Sequence, residues 1–204
     1  MATELASPLP ERILLVDHKP TLSKAWAEAF EDIEGVSAHD GDFFDFPADA
    51  MVSPANSFGI MDGGLDLAIR DRLGWEVQHR VQREILARFH GELPVGAAVI
   101  VETGQGTWPW LVAAPTMRVP ENVAGTLNPY LAFRAALLEV RALNASGAAS
   151  IRSLLCPGLG TSIGGVDPVR CAVQMRMALR SVAGPPRIPS FAGILETHRT
   201  LRGA

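Results

Sequence analysis

The stretch that decides the fold is DAMVSPANSFGIMDGGLDLAIRD, residues 49–71. It opens with a short apolar segment, residues 50–52, which is typical of a buried β-strand. A glycine-rich loop follows, and it carries the polar side chain of Asn56. Apolar residues then recur every four positions, which predicts a helix with an inner face of Leu65, Ile69 and Leu73. A strand, a glycine loop and a helix N-terminus in this order present backbone N–H groups to an anion.

A second stretch repeats this arrangement about a hundred positions later. Residues 153–156 form an apolar strand pattern, residues 157–167 form a glycine loop, and Pro168 suits the first turn of a helix. Ligands of open α/β sheets bind outside the carboxyl ends of the strands, between loops of this type. The two loops therefore predict a cleft with backbone donors on both walls, which suits a diphosphate.

The rest of the chain extends the pattern in both directions. Residues 13–16 are an unbroken apolar run, which indicates a strand buried on both faces. Residues 97–101 and 110–114 read as antiparallel neighbours because a turn at Gly104 separates them. A long helix follows, for which the spacing predicts an inner face of Leu131, Leu138 and Ala142. Strands that alternate with helices predict an α/β fold with a mixed, mostly parallel sheet.

Length and composition limit the possible classes of protein. A chain of 204 residues suits one domain with a substantial core, and we expect a flexible arm at residues 1–11 and a single domain at residues 12–204. A net charge of -4 gives no electrostatic case for nucleic-acid or membrane binding. Cys156 and Cys171 are expected to be buried free thiols. Without a membrane-length apolar run or a secretory signal, the protein is expected to be soluble and cytoplasmic.

Four motifs resemble those of the macrodomains, the ADP-ribose-binding modules. In the first loop, Ser53-Pro-Ala-Asn56 and Asp62-Gly-Gly-Leu-Asp66 resemble the family's Asn-Ala-Ala-Asn and Gly-Gly-Gly-Val-Asp. The closest variant is the bacterial and phage group with Ser-Pro-Ala-Asn-Ser. The resemblance implies a three-layer α/β/α fold with a mixed central sheet of about six strands flanked by helices.

The three other motifs lie on either side of the first loop in the sequence. Gly41-Asp42-Phe43 resembles the family's Gly-Asp-Ile, Pro115-Thr-Met at a strand end also fits the family, and residues 157–165 resemble its second loop. In that second loop Ser162 replaces a glycine. Gly164 replaces an aromatic residue, which in the family packs on the distal ribose. The resemblance runs in sequence order from about residue 36 to residue 179.

The resemblance also implies roles for individual side chains. Asp42 would hold the adenine amino group, Asn56 would hold the proximal ribose, and Asp66 would activate water or tune the ribose. Asn56 and Asp66 are therefore the candidate catalytic residues, and no metal or other cofactor is implied. The candidate ligand-binding residues are Asp42, Phe43, Asn56, Gly63, Gly64, Leu65, Gly160, Thr161, Ser162, Ile163, Gly164 and Gly165.

Three functions fit these residues. The first is hydrolysis of an ADP-ribosyl bond, with ADP-ribosylated protein, ADP-ribosylated nucleic acid or O-acetyl-ADP-ribose as the substrate. The second is a reader module that binds ADP-ribose or a related nucleotide without turnover. The third is a macrodomain-like scaffold whose cleft binds another ligand. Nucleic acid enters only as a modified substrate, and no membrane partner is expected.

Other sites fit the sequence less well. The segment from Gly160 to Gly164 has the form Gly-x-Ser-x-Gly of a serine hydrolase, but Pro157 and Gly158 separate it from its strand. No glycine segment completes Gly-x-Gly-x-x-Gly, and no P-loop lysine motif occurs. The five histidines show no metal-ligand spacing.

Several residues also have plain structural interpretations. Asp42 suits the cap of a turn, Asp66 suits the first turn of a helix, and Asn56 suits a loop turn. Arg70 is expected on a solvated helix face, and Phe191 is expected in the core.

Overall fold

The computed structural model describes residues 9–203, and residues 1–8 of the expected N-terminal arm lie outside this range. Its strands are β1 (Arg12–Asp17), β2 (Val36–Asp40), β3 (Ala50–Ser53), β4 (Val99–Glu102), β5 (Trp110–Ala113) and β6 (Ser153–Cys156). Its helices are α1 (Pro20–Ala29), α2 (Gly64–Leu73), α3 (Trp75–Phe89), α4 (Asn128–Ser146), α5 (Pro168–Ala183) and α6 (Phe191–Arg202).

The sheet is mixed, as the sequence predicts, with the strand order β2-β1-β6-β3-β5-β4. Neighbouring strands are parallel except β4 and β5, which form the expected antiparallel pair. Between them, Gly104 has a φ of +80°, which glycine adopts without a steric penalty. Because the other five strands are parallel, their carboxyl ends meet at one edge of the sheet. The loops that follow those strands are thereby brought together.

Two hydrophobic cores lie on opposite faces of the sheet. Alternate strand residues point to opposite faces, so Ala50 and Val52 pack with α1, α4 and α5, while Met51 packs with α2 and α3. Strand β6 divides in the same way, with Leu154 on the first face and Leu155 on the second. The molecule therefore has the three α/β/α layers that the resemblance implies.

The predicted inner face of α4 is correct only in part. Leu138 is half-buried and packs against the core on this side of the sheet, Leu131 is half-buried, and Ala142 is exposed. Helix α4 packs against both the sheet and α5, so its buried surface is wider than one apolar stripe. Its buried residues are Pro129, Ala132, Phe133, Ala135, Ala136, Leu137 and Val140.

The expected burial of Phe191 is also wrong, because that residue is 74% exposed. Helix α6 packs on the outer side of α5 through Leu201, far from the sheet. Cys156 and Cys171 are buried and free, as predicted. Among residues 9–203, no helix combines the length and apolar character needed to cross a membrane.

Candidate functional site

A cleft of about 640 Å³ opens at the carboxyl edge of the parallel strands. Both glycine loops line it, together with the segments that follow β1, β2 and β5. Every candidate site residue named from the sequence lines the cleft except Gly165. Strand polarity alone therefore brings together side chains that are more than a hundred positions apart in the chain.

Asn56 shapes the first loop through its own side chain. Its Oδ1 accepts hydrogen bonds from the backbone N–H groups of Phe58 at 3.0 Å and Ile60 at 3.3 Å. Its Nδ2 donates to the Ile60 carbonyl at 2.6 Å. Both polar ends of the amide are thus engaged by the loop, which is the structural role expected of a turn asparagine. A direct role of Asn56 with a ribose stays a prediction.

The N-terminus of α2 is open to the cleft. Gly63 occupies the N-cap position without a side-chain cap, and Gly64 has a φ of +57°. A Cβ added at either glycine would meet no atom within 4 Å. Within residues 9–203, the N–H groups of Gly64, Leu65 and Asp66 have no protein acceptor. Free N–H groups at the start of a helix favour an anion.

Asp66 lies at the floor of this opening and is the most perturbed acid in the cleft. It is 8% exposed, and the Ser53 hydroxyl, itself 1% exposed, donates a hydrogen bond to its Oδ1. Burial raises the pKa of Asp66 from 3.8 to about 6, the Ser53 bond lowers it, and the charge of Asp62 raises it. Ser53, which replaces the asparagine of the resemblance, therefore has a defined partner. Asp66 can exchange a proton near neutral pH.

The second loop leaves backbone N–H groups available to a ligand, while several of its carbonyls accept hydrogen bonds from the protein. The carbonyls of Gly160, Ser162 and Gly164 accept hydrogen bonds from the N–H groups of Val166, Gly165 and Val123. In the described part of the chain, the N–H groups of residues 161–164 have no protein acceptor. A loop with this polarity is a concave set of donors for an anion.

Gly164 is fixed by packing inside this loop. A Cβ there would lie 2.5 Å from the Gly160 carbonyl oxygen and 2.7 Å from Val123 Cγ2. The aromatic residue of the resemblance therefore does not fit at this position. The neighbouring Ile163 is 60% exposed and lines the cleft, so it offers an apolar surface instead.

Asp42 lies at the far end of the cleft, after β2. Its carboxylate accepts a hydrogen bond from the Phe44 N–H at 2.9 Å and so caps a short 3-10 turn, Phe43–Asp45. Phe43 is buried, whereas Phe44 lies at the cleft with its ring edge-on to Trp108, at 5.8 Å between centroids. This hydrogen bond agrees with the interpretation of Asp42 as the cap of a turn. The proposed contact of Asp42 with adenine stays a prediction.

Sequence reasoning missed the segment that follows β1. Asp17, His18 and Lys19 line the cleft, and the Lys19 ammonium donates to the Thr161 carbonyl at 3.1 Å. The rule that sites lie at carboxyl ends of strands could have found them, because the apolar run of β1 ends at Asp17. Thr116 and Met117, which belong to the Pro115-Thr-Met match, line the cleft after β5 together with Pro120.

Arg70 does not lie on a solvated face as expected. Its side chain is only 12% exposed, and its guanidinium lies 3.9 Å from the centroid of the Trp75 ring. The turn between α2 and α3 brings Trp75 over Arg70, which the spacing within one helix does not reveal. Neither residue lines the cleft. Among the described residues, no cluster of His, Cys, Asp or Glu could hold a metal ion.

Known proteins share the sequence family and the fold of this chain. The sequence matches the family model of the Macro domain over residues 52–175. An uncharacterized protein of Aquifex aeolicus (strain VF5) is 33% identical over 140 residues, which are 69% of this chain and 78% of that protein.

Solved structures show the same fold at lower sequence identity. The macrodomain of Mycobacterium tuberculosis DarG aligns with a TM-score of 0.58 and 22% identity, over 70% of this chain and 88% of that chain. The Oceanobacillus iheyensis macrodomain with ADP aligns with a TM-score of 0.54 and 20% identity, over 68% of this chain and 71% of that chain.

Proposed function

Because the chain belongs to the macrodomain family, we propose that its cleft binds ADP-ribose and that Asp66 hydrolyses an ADP-ribosyl bond there. The observation that carries this proposal is the buried Ser53–Asp66 pair at the floor of the cleft, between two loops with free N–H groups. The N–H groups account for binding of a diphosphate, and the acid accounts for turnover. The solved structures of the Oceanobacillus iheyensis macrodomain with ADPR and with ADP support the choice of ligand.

In the proposed complex, different segments of the cleft contact different parts of ADP-ribose. The diphosphate would lie between the N–H groups at the start of α2 and those of residues 161–164. The adenine would lie toward Asp42, and Phe43 and Phe44 would form an apolar wall beside it. Ile163 would cover a ribose face in place of the absent aromatic side chain. The proximal ribose would then reach Asp66 near the first loop.

The catalytic part uses Asp66 as a general base. A water oxygen forms a bond to the anomeric carbon of the proximal ribose while the bond from that carbon to the modified group breaks. Asp66 accepts a proton from the water, the departing group takes up a proton from solvent, and Asp66 then returns its proton to solvent. A pKa of about 6 leaves most Asp66 ionised near pH 7, so that the carboxylate is available for this role.

The reader function is the second candidate, and one observation favours it. Both ends of the Asn56 amide are engaged by its own loop, so that side chain would have to release those bonds to orient a ribose. A domain in which Asn56 stays fixed would bind ADP-ribose without aligning it for attack. A cleft that takes another ligand is the remaining candidate.

The test measures binding and turnover separately. Calorimetry with ADP-ribose is expected to give a micromolar dissociation constant, about -8 kcal/mol. Mono-ADP-ribosylated protein, ADP-ribosylated nucleic acid and O-acetyl-ADP-ribose are then each supplied, and released ADP-ribose is measured by chromatography. Binding with no release from any of the three would favour the reader function. No binding of ADP-ribose would refute both.

A further inference from the structure

The Lys19 side chain forms a contact across the cleft that is not needed to form β1 or α1. It lies between β1 and α1, at the N-cap position of α1, and its side chain is half-buried. Its ammonium reaches the carbonyl of Thr161 in the second glycine loop, 142 positions away in the sequence. Of the described residues that line the cleft, it is the single lysine or arginine.

We propose that Lys19 positions the second loop for an anionic ligand and supplies the positive charge that this ligand requires. The inference rests on the proposed function, in which the cleft takes the diphosphate of ADP-ribose. It assigns to the segment after β1 a part in recognising charge. The loops themselves supply only neutral donors.

Lys19 fixes the orientation of one peptide unit in the second loop. The carbonyl of Thr161 and the N–H of Ser162 belong to one peptide unit, and no peptide bond in residues 9–203 is cis. In a trans peptide these two groups point in opposite directions. A carbonyl held by Lys19 therefore turns the Ser162 N–H away from Lys19. That peptide cannot rotate without breaking the 3.1 Å bond.

Other carbonyls of this loop are also held by the protein. Those of Gly160, Ser162 and Gly164 accept hydrogen bonds from backbone N–H groups. The Thr161 carbonyl is the one in this run that a charged side chain occupies. Lys19 thus adds a fourth carbonyl to those that the protein holds. The N–H groups of residues 161–164 are left for a ligand.

Acidic side chains outnumber lysine and arginine among the described residues that line the cleft. Four carboxylates line the cleft, and they belong to Asp17, Asp42, Asp62 and Asp66. An anion among them experiences repulsion, which neutral N–H groups offset only in part. The Asp17 carboxylate accepts a hydrogen bond from the Lys19 backbone N–H at 2.9 Å, which fixes the start of the Lys19 side chain. The ammonium is therefore a positive charge held at a defined place.

The experiment compares wild-type protein with Lys19→Met and Lys19→Arg. Calorimetry measures the affinity of each for ADP-ribose, for ADP and for adenosine, which lacks phosphate, at two salt concentrations. Methionine keeps the length of the side chain and removes the charge and the donor. Arginine keeps both. Thermal unfolding of each variant reports whether the fold is retained.

We expect Lys19→Met to weaken ADP-ribose and ADP by at least about tenfold, the loss typical of a hydrogen bond to a charged group. Adenosine affinity should change by less than about twofold. Lys19→Arg should stay within about threefold of wild type for all three ligands. Added salt should weaken ADP-ribose binding more in the wild type than in Lys19→Met, because salt screens the charge that the variant lacks.

Two results would overturn the inference. Lys19→Met could bind ADP-ribose as the wild type does, with the same salt dependence, and Lys19 would then have no part in recognition. An equal loss for ADP-ribose and adenosine, with unchanged salt dependence, would reduce Lys19 to a structural tie between α1 and the second loop. Failure of the wild type to bind ADP-ribose is a separate outcome, and it would remove the proposed function together with this inference.

Discussion

The two glycine loops of the cleft are held in place by different means. A side chain holds the first loop, because the amide of Asn56 forms hydrogen bonds with the backbone of Phe58 and Ile60. Backbone bonds and close packing hold the second, where a Cβ at Gly164 would meet the Gly160 carbonyl oxygen at 2.5 Å. At Gly63 and Gly64 of the first loop, a Cβ would meet nothing within 4 Å.

This difference separates two uses of glycine. At Gly63 and Gly64 in the first loop, glycine leaves space for a ligand, so a larger residue is expected to affect binding. In the second loop, glycine leaves space for the protein itself, so a larger residue is expected to affect folding. The buried acid Asp66 lies with the first loop, and we therefore expect chemistry to depend on the first loop and rigidity to depend on the second.

The largest effect is expected at Asp66. Asp66→Asn should lower turnover of an ADP-ribosylated substrate by about 10²–10⁴-fold, the usual contribution of a general base. ADP-ribose affinity should change far less, because the carboxylate acts mainly in the transition state. Single-turnover kinetics and calorimetry measure the two quantities. The control is Asp71→Asn, an exposed acid on the same helix. Turnover at the wild-type rate in Asp66→Asn would remove the first loop from the chemistry.

The second effect is a pH dependence of stability. Because burial raises the pKa of Asp66 to about 6, the folded protein binds a proton more tightly than the unfolded chain. Its contribution to the free energy of unfolding is complete below about pH 4 and is lost as pH rises through about 6. That loss amounts to about 3 kcal/mol, at 1.36 kcal/mol per pKa unit.

Urea unfolding of wild type and Asp66→Asn between pH 4 and pH 8 measures this dependence as the difference between the two proteins. The wild type should lose stability relative to Asp66→Asn as the pH rises. Asp71→Asn should follow the wild type. A difference that is constant with pH would contradict the buried, perturbed state of Asp66.

The third effect tests the second loop. Gly164→Ala should destabilise the fold by about 1–3 kcal/mol, the usual result of overpacking, because the added Cβ meets a backbone carbonyl. Urea unfolding measures it. Gly106→Ala is a matched control, since a Cβ at Gly106 would meet nothing within 4 Å. Equal stability of the two variants would mean that the second loop is not held by packing.

The smallest effect tests the first loop. Gly63→Val should weaken ADP-ribose binding by about tenfold, or about 1.4 kcal/mol, because the side chain enters the space between the ligand and the N–H groups of α2. The free energy of unfolding should change by less than about 1 kcal/mol. Calorimetry and urea unfolding give the two values. Unchanged affinity would show that the anion does not approach α2 at Gly63.

The sequence predicted the layered fold because its signals are local and repeated. Apolar runs such as residues 13–16 and helical spacing such as Leu65, Ile69 and Leu73 each identify an element without reference to the rest of the chain. The failures came where contacts between helices decide burial. Ala142 was placed on the inner face of α4 although it is exposed, and Arg70 was misjudged because it packs against Trp75 of the next helix.

By itself, the sequence determined the family, the order of strands and helices along the chain, and two glycine loops that each join a strand to a helix N-terminus. These features depend on side-chain size and backbone freedom over a few neighbouring residues. Only the tertiary structure decided that Ser53 bonds to Asp66, that Gly164 has no room for a side chain, and that Lys19 reaches Thr161. Those contacts join residues up to 142 positions apart. Parallel packing of β1, β3 and β6 sets them, and no local pattern encodes their distance.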